Sequence, residues 1–309
     1  MANPITIFRA STGLNIKVDP VRIKFDPETG VTDLAVAYNV DFDQTGRISR
    51  RKGYKISSIA VPVHSLFCDR PGGNAFGVIG TSLCLIAPDL SGYRSLATVT
   101  ADARVSFASV ADMTFWLNGF EKGFIRNGVN NAWVKGDYYG PTSKRILVDP
   151  PIGTLIAAYN GHIYIAFGST LYHSDPYSLN AFDLVRGNFP FESQLSMVKP
   201  VAGGMFIGTV ADVWFLSGTG PTKFQLVKVS KSAAIRGTDV YADISKMAFG
   251  TITQGRTGEA VLWTSPDGIF LGTPDGQAYN LTVDKFTPQN ATEGAAQIIN
   301  GRYVVTLAP

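Results

Sequence analysis

The sequence predicts an all-β chain: a β-propeller-like body of five or six blades, preceded by an extended N-terminal arm and a β-hairpin. Three observations predict it. No long window carries apolar residues at i, i+3, i+4 and i+7 while staying free of Gly and Pro, so helices are not expected. Short runs of Val, Ile, Phe, Tyr and Trp recur instead, bounded by Gly, Asn, Asp and Pro, the pattern of antiparallel hairpins. These hairpins return at intervals of about 40 to 50 residues, close to the length of a four-stranded blade.

Residues 1–60 stand outside the repeat and are expected to form the arm and hairpin, with residues 61–309 as the body. Ile16 to Pro27 reads as extended, because each of its two Asp-Pro pairs pushes the residue before proline away from helix. Such an arm is suited to wrapping a neighbouring subunit. Asn39-Val40-Asp41-Phe42-Asp43 alternates as a strand, Gln44-Thr45-Gly46 supplies a turn, and Arg47-Ile48-Ser49-Arg50 returns.

In the body, residues 75–86, 113–125, 160–174, 203–217 and 259–272 each read as strand, turn, strand, the last three most clearly. A small sheet that is apolar on both faces cannot bury them alone. Radial stacking buries both faces and keeps the exposed edges short. A β-sandwich or β-barrel with hairpins of similar length is the alternative architecture.

With 309 residues, 45% of them hydrophobic, the chain can build a substantial core without staples. Mean hydropathy is slightly positive, yet no stretch approaches the about 18 consecutive apolar residues of a membrane span. The N-terminus lacks a basic region followed by an apolar run, so folding in a cytoplasm is expected. Cys68 and Cys84 lie in apolar segments and are expected to be small buried hydrophobes.

Three histidines and two cysteines, none at metal-ligand spacing, leave little material for a zinc or iron site, and no cofactor is expected. No nucleophile elbow, phosphate loop or zinc-protease motif occurs, and the acids do not form a recognisable catalytic pair; the chain is not expected to be an enzyme. Ser265-Pro266-Asp267-Gly268 resembles part of a sialidase Asp-box but reads as an ordinary hairpin turn. His162 and His173 are expected on a sheet surface, and Trp116, Trp133, Trp214 and Trp263 in the core.

Arg47, Arg50, Arg51, Lys52 and Lys55 place five cations in nine positions with no acid among them. Three readings are open: a solvated edge that protects the hairpin from aggregation, a salt-bridge patch against a neighbouring subunit, or contact with DNA phosphates. The net charge of +3 is small for this length, so any DNA contact is local.

The same segment carries a family resemblance. Gly13-Leu14-Asn15, then Asp19-Pro20, then Asn39-Val40-Asp41-Phe42-Asp43 through Gly46, Arg50, Arg51, Gly53 and Tyr54 resembles bacteriophage virion proteins of the tail nozzle, hub or tail-tube-associated type. The match covers roughly the first 55 residues; the body matches only in repeat architecture. The resemblance implies a structural virion subunit with a propeller-like body, made in the host cytoplasm. It also implies a homo-oligomeric ring, sixfold for most such parts, that meets other tail or head-to-tail proteins and passes double-stranded DNA during ejection. A recognition module is the alternative, binding a host receptor or tail fibre through loops such as 136–150 or 231–257.

Overall fold

The computed structural model describes residues 9–43, 45–53, 59, 61–68, 73–136, 145–247, 252–299 and 301–308. The N-terminal segment forms a small sheet of β1 (Ala10–Leu14), β2 (Phe25–Asp26) and β3 (Val31–Leu34), ordered β1-β3-β2, followed by the hairpin β4 (Val40–Phe42) and β5 (Ile48–Arg50).

Sheet I comprises β6 (His64–Cys68), β7 (Ala75–Ile79), β8 (Ser82–Ile86) and β9 (Tyr93–Thr98). Sheet II comprises β10 (Ser106–Val110), β11 (Met113–Leu117), β12 (Lys122–Arg126) and β13 (Val129–Ala132). Sheet III has β14 (Leu155–Tyr159), β15 (His162–Phe167), β16 (Thr170–Asp175), β17 (Ser178–Phe182) and β18 (Asn188–Pro190), the last two sharing the edge of β16. Sheet IV runs β19 (Leu195–Val201), β20 (Gly204–Thr209), β21 (Val213–Ser217) and β22 (Gln225–Ser230). Sheet V runs β23 (Val240–Asp243), β24 (Glu259–Ser265), β25 (Gly268–Gly272) and β26 (Ala278–Asn280), and a two-stranded hairpin follows, β27 (Glu293–Ile299) and β28 (Arg302–Ala308). Apart from β18, which pairs back on β16, each of sheets I to V is an antiparallel meander in chain order.

The five hairpins read from sequence are the two central strands of sheets I to V. They are the most legible strands because both faces are buried, which makes them continuous apolar runs. The outer strands β9 and β22 are largely exposed, and their sequences carry little apolar signal.

The core lies between the sheets. Phe76, Val78 and Leu83 of sheet I meet Trp116 and Ile125 of sheet II, and Phe115, Leu117 and Trp133 of sheet II meet Ile156, Ile163 and Phe182 of sheet III. Tyr164 and Leu171 then pack on Met205 and Ile207, and Phe206 and Phe215 on Val261, Trp263 and Phe270. Finally Ala260 and Leu262 of sheet V take Ile298 and Tyr303 of the terminal hairpin. Burying an aromatic or large aliphatic side chain contributes about 1.5–3 kcal/mol, so these five apolar junctions carry most of the fold. Stacking in series, with the inner sheets covered on both faces by their neighbours, is propeller-like packing.

Several expectations need correction. Asp19-Pro20 does not continue an extended arm: Asp19 Oδ1 accepts from Val21 N at 2.9 Å and starts a 3-10 turn over Pro20–Arg22, where proline's missing N–H costs nothing. The segment from β1 to β3 lies on its own body, with Ile16 N donating to Lys285 O at 2.9 Å and Lys285 Nζ reaching Asp33 Oδ1 at 3.0 Å. Cys84 is buried as expected, but Cys68 is exposed, because β6 alternates between covered and open positions at the end of the series of sheets.

Candidate functional site

The cation-rich hairpin is built by its acids. Asp43 Oδ1 accepts from Thr45 N (2.8 Å), Thr45 Oγ1 (2.6 Å) and Arg47 N (3.0 Å), closing the turn after β4. The Thr45 hydroxyl and the Arg47 backbone N–H together hold the Asp43 carboxyl below its ordinary range, with the Arg47 charge adding to them. Gly46 then has φ of +77°, and a Cβ there would meet Ser11 O at 2.7 Å; Ser11 N donates to Gly46 O at 2.8 Å, docking the turn on β1. Only glycine allows that approach.

A second tie fixes the other end. Asp41 on β4 accepts from Arg51 Nε at 3.2 Å and from Arg302 Nη1 of β28 at 2.9 Å, so one carboxylate joins the hairpin to the last strand of the body. Arg302 lies far from the hairpin in sequence, and no local pattern points to it. Of the five cations singled out from sequence, Arg51 is paired within the chain. Arg47, Arg50 and Lys52 are exposed and make no ion pair among the described residues. Lys55 lies outside the described residues. The result is a row of exposed positive charge on a hairpin pinned at its turn and on Asp41.

The other side chains nominated from sequence are structural. Trp116, Trp133 and Trp263 are buried, while Trp214 lies half-buried, its indole N–H on Asp212 at 2.8 Å and Lys228 over its ring. Ser265 to Gly268 is the two-residue turn of β24 and β25, and Ser265 is buried on Ser232 at 2.6 Å. His162 and His173 were expected on a sheet surface; instead they stand edge to face at 5.7 Å within a cluster with Tyr164, Phe189 and Phe224. Burial holds the His173 imidazole below its ordinary value. Among the described residues no group of three or more His, Cys, Asp or Glu is placed to hold a metal ion, and no helix is long and apolar enough to cross a membrane.

A second polar locus, with no signature in the sequence, lies where the terminal hairpin meets the approaches to β6, β10 and β23. His64, Asp102, Arg104, Phe120, Arg236 and Glu293 line a cavity of about 430 Å³ there. Arg104 Nε binds Glu293 Oε2 at 3.3 Å and its Nη2 binds Gly294 O at 2.7 Å, while Gly294 N donates to Arg236 O at 2.9 Å.

No family model and no curated protein matches the sequence. Solved structures match at the level of fold. BBS1N in complex with ARL6DN aligns with a TM-score of 0.50 and 13% identity over 87% of this chain and 83% of that one. The extracellular domain of the hybrid two component system BT3049 from B. thetaiotaomicron aligns with a TM-score of 0.50 and 11% identity over 96% of this chain. This chain spans 39% of that protein, and 32% of the similar extracellular domain of BT4673 from the same organism. At such identities the likeness concerns fold alone. With the serial four-stranded sheets it makes the chain an all-β, β-propeller-like protein.

Proposed function

We propose that the chain is a structural subunit of a bacteriophage tail, of the nozzle, hub or head-to-tail conduit type, which assembles into a ring that passes the genome during ejection. The observation that carries this reading is the N-terminal hairpin. It bears the motif shared with such virion proteins, and it presents Arg47, Arg50 and Lys52 to solvent while its turn and Asp41 are fixed to the body. The pinned hairpin backbone needs no further ordering when these side chains pair, so an acidic face of an adjacent copy is a favourable complement. The described arm packs on its own body, so the contact with a neighbour falls to this hairpin.

In this reading the duplex passes between subunits and not through one, since the sheets stack in direct apolar contact. The small net charge of +3 suits a conduit, since many phosphate contacts would hold the passing DNA too tightly. Six heterologous contacts with a rotation that divides the circle would close such a ring, in the virion and without a catalytic role.

The experiment is the solution mass of the purified chain by light scattering, alone and with tail extract, for wild type and for the triple variant Arg47→Gln, Arg50→Gln, Lys52→Gln. A ring-sized species formed by wild type and lost in the triple variant supports the reading. A wild-type chain that stays monomeric with extract overturns it.

A second reading, a recognition module for a receptor or tail fibre, is favoured by one observation. Ile146 and Val185 are 75% and 79% exposed beside the Arg145–Asp183 contact, at the end of the 136–150 loop nominated from sequence. Ile146→Ser with Val185→Ser would abolish adsorption of otherwise assembled particles under that reading, and leave it unchanged under the first.

A further inference from the structure

The cavity at the convergence of β6, β10, β23 and β27 leaves one of its two guanidinium groups without a bonded partner. Two guanidinium groups, Arg104 and Arg236, share it with a single engaged carboxylate, Glu293, whose Oε2 lies 3.3 Å from Arg104 Nε. Asp102 stands at the exposed rim beside His64, whose Nδ1 is engaged by Ser65 Oγ at 2.9 Å. The Arg236 side chain is half-buried and makes no hydrogen bond or ion pair among the described residues. Burial lowers its pKa from the ordinary value and Arg104 reinforces that, while the carboxylates of Glu293 and Asp239 oppose it.

A guanidinium partly withdrawn from water without an acceptor favours an anion that supplies one. The backbone beside the cavity is closely packed on Arg104. Gly237, with φ of +80°, lies so close that a Cβ would run into Arg104 Nη1 and Gly294 O, and Ser65, beneath His64, also sits at positive φ (+54°). Gly237 takes its φ at no cost, and Ser65 is held by Val105 N, which donates to its Oγ at 2.9 Å.

From this we infer that the cavity is a binding site for a small anionic ligand, whose carboxylate or phosphate accepts two parallel N–H bonds from Arg236. Five donors in a planar fork match such an oxyanion, which two oxygens of either group can satisfy. The cavity, at about 430 Å³, is larger than a bare anion needs and falls in the range of small-molecule sites. Phe120 is 63% exposed at its wall, an aromatic surface that a planar or apolar body on the ligand would cover. The ligand is therefore an organic acid or a phosphate monoester with such a body. This inference does not depend on the chain forming a ring.

The test is isothermal titration calorimetry of the full chain at fixed ionic strength with inorganic phosphate, acetate, benzoate and phenyl phosphate. Benzoate or phenyl phosphate should bind saturably with one site per chain and more tightly than its bare anion, the stronger of the two telling a carboxylate site from a phosphate site. Arg236→Gln should weaken that binding at least about tenfold, as loss of a charge-assisted bidentate pair does, and Arg186→Gln, at an exposed cation elsewhere, should not. Phe120→Ser changes an exposed side chain with little folding risk. It should weaken the aromatic probe and leave the bare anion unchanged. The inference is overturned if none of the four probes binds wild type saturably, or if Arg236→Gln binds as wild type does. Should Arg236→Gln not fold, equal affinity of Phe120→Ser and wild type for the aromatic probe overturns it.

Discussion

Replacing Arg145 by methionine should be among the most damaging single substitutions outside the apolar junctions. The guanidinium binds Asp175 with two nitrogens, Nη1 to Oδ2 at 2.8 Å and Nη2 to Oδ1 at 2.5 Å, and its Nε lies 3.2 Å from Asp183 Oδ2. The side chains of Asp175 and Asp183 are only 6% and 3% exposed. Breaking a buried pair by removing one partner costs about 3–5 kcal/mol, because the remaining charge stays out of water. Two compensations place this case at the low end. Asp183 keeps the backbone N–H groups of Val185 and Arg186 at 3.2 and 3.1 Å, and Arg145 is partly open to water, so screening trims its worth.

A loss of about 3 kcal/mol lowers the melting temperature of a chain of 309 residues by about 5 °C, measured by differential scanning calorimetry at pH 7. The sign of the pH dependence follows. Burial pushes the Asp183 carboxyl upward, but the Arg186 backbone N–H and Arg145 outweigh it and hold it below its ordinary value. Its stabilisation is therefore present above the unfolded value of about 3.9 and is lost as pH falls through the lower folded value. In Arg145→Met this acid limb should shrink. The triple variant Arg145→Met, Asp175→Asn, Asp183→Asn leaves no buried charge and should recover part of the loss. If Arg145→Met melts within about 1 °C of wild type, the cluster is no buried ion pair and the reasoning fails.

Three further outcomes are expected. Asp41→Asn removes a carboxylate held by two exposed arginines and should cost under about 1 kcal/mol in urea unfolding, while raising the net positive charge of the hairpin. Gly237→Ala meets both a positive φ and the Arg104 guanidinium, and should cost about 2 kcal/mol or more, read as a drop in urea midpoint with unchanged m-value. His173 is held below its ordinary value chiefly by burial, so the unfolded chain takes the proton first as pH falls below about 6.5. Stability from this residue is then lost until the folded value is passed. Its imidazole resonances in NMR should titrate at lower pH than an exposed histidine's, and His173→Phe should flatten the melting temperature over that window.

What was legible in the sequence divides along the range of the interaction. The central hairpins of the five sheets were readable because their turns are local and their strands are apolar on both faces; Gly80 and Gly168 sit at positive φ in the turns of two of them. The hairpin at Val40 to Arg50 was readable for the same reason, Asp43 closing its turn within four residues. Polar strands left no such trace: β9, β13 and β22 face water and pair through backbone bonds that any side chain permits. The Asp-Pro pair at 19–20 carried two messages, extended before the proline and a turn after it, and only the first was read.

The polar loci were hidden for a deeper reason. Arg302 meets Asp41, Arg104 meets Glu293, and Lys285 meets Asp33, each pair drawn from distant parts of the chain. A single arginine among turn residues looks like a solvated charge until the fold brings its partner, and one sequence holds no record of that pairing. The three contacts share a setting: each joins the C-terminal part of the chain to the N-terminal segment or to the approach of β10. The apolar packing that links sheet I through to the terminal hairpin is supplied by neighbours in sequence order. The contacts that tie the N-terminal segment and the approach of β10 to the C-terminal part of the chain are ionic and hydrogen-bonded. Each is worth far less than an apolar junction but is far more selective in geometry. Raising salt should therefore loosen this seam before it loosens the blades, and the candidate ligand cavity and the cation-bearing hairpin both lie on it.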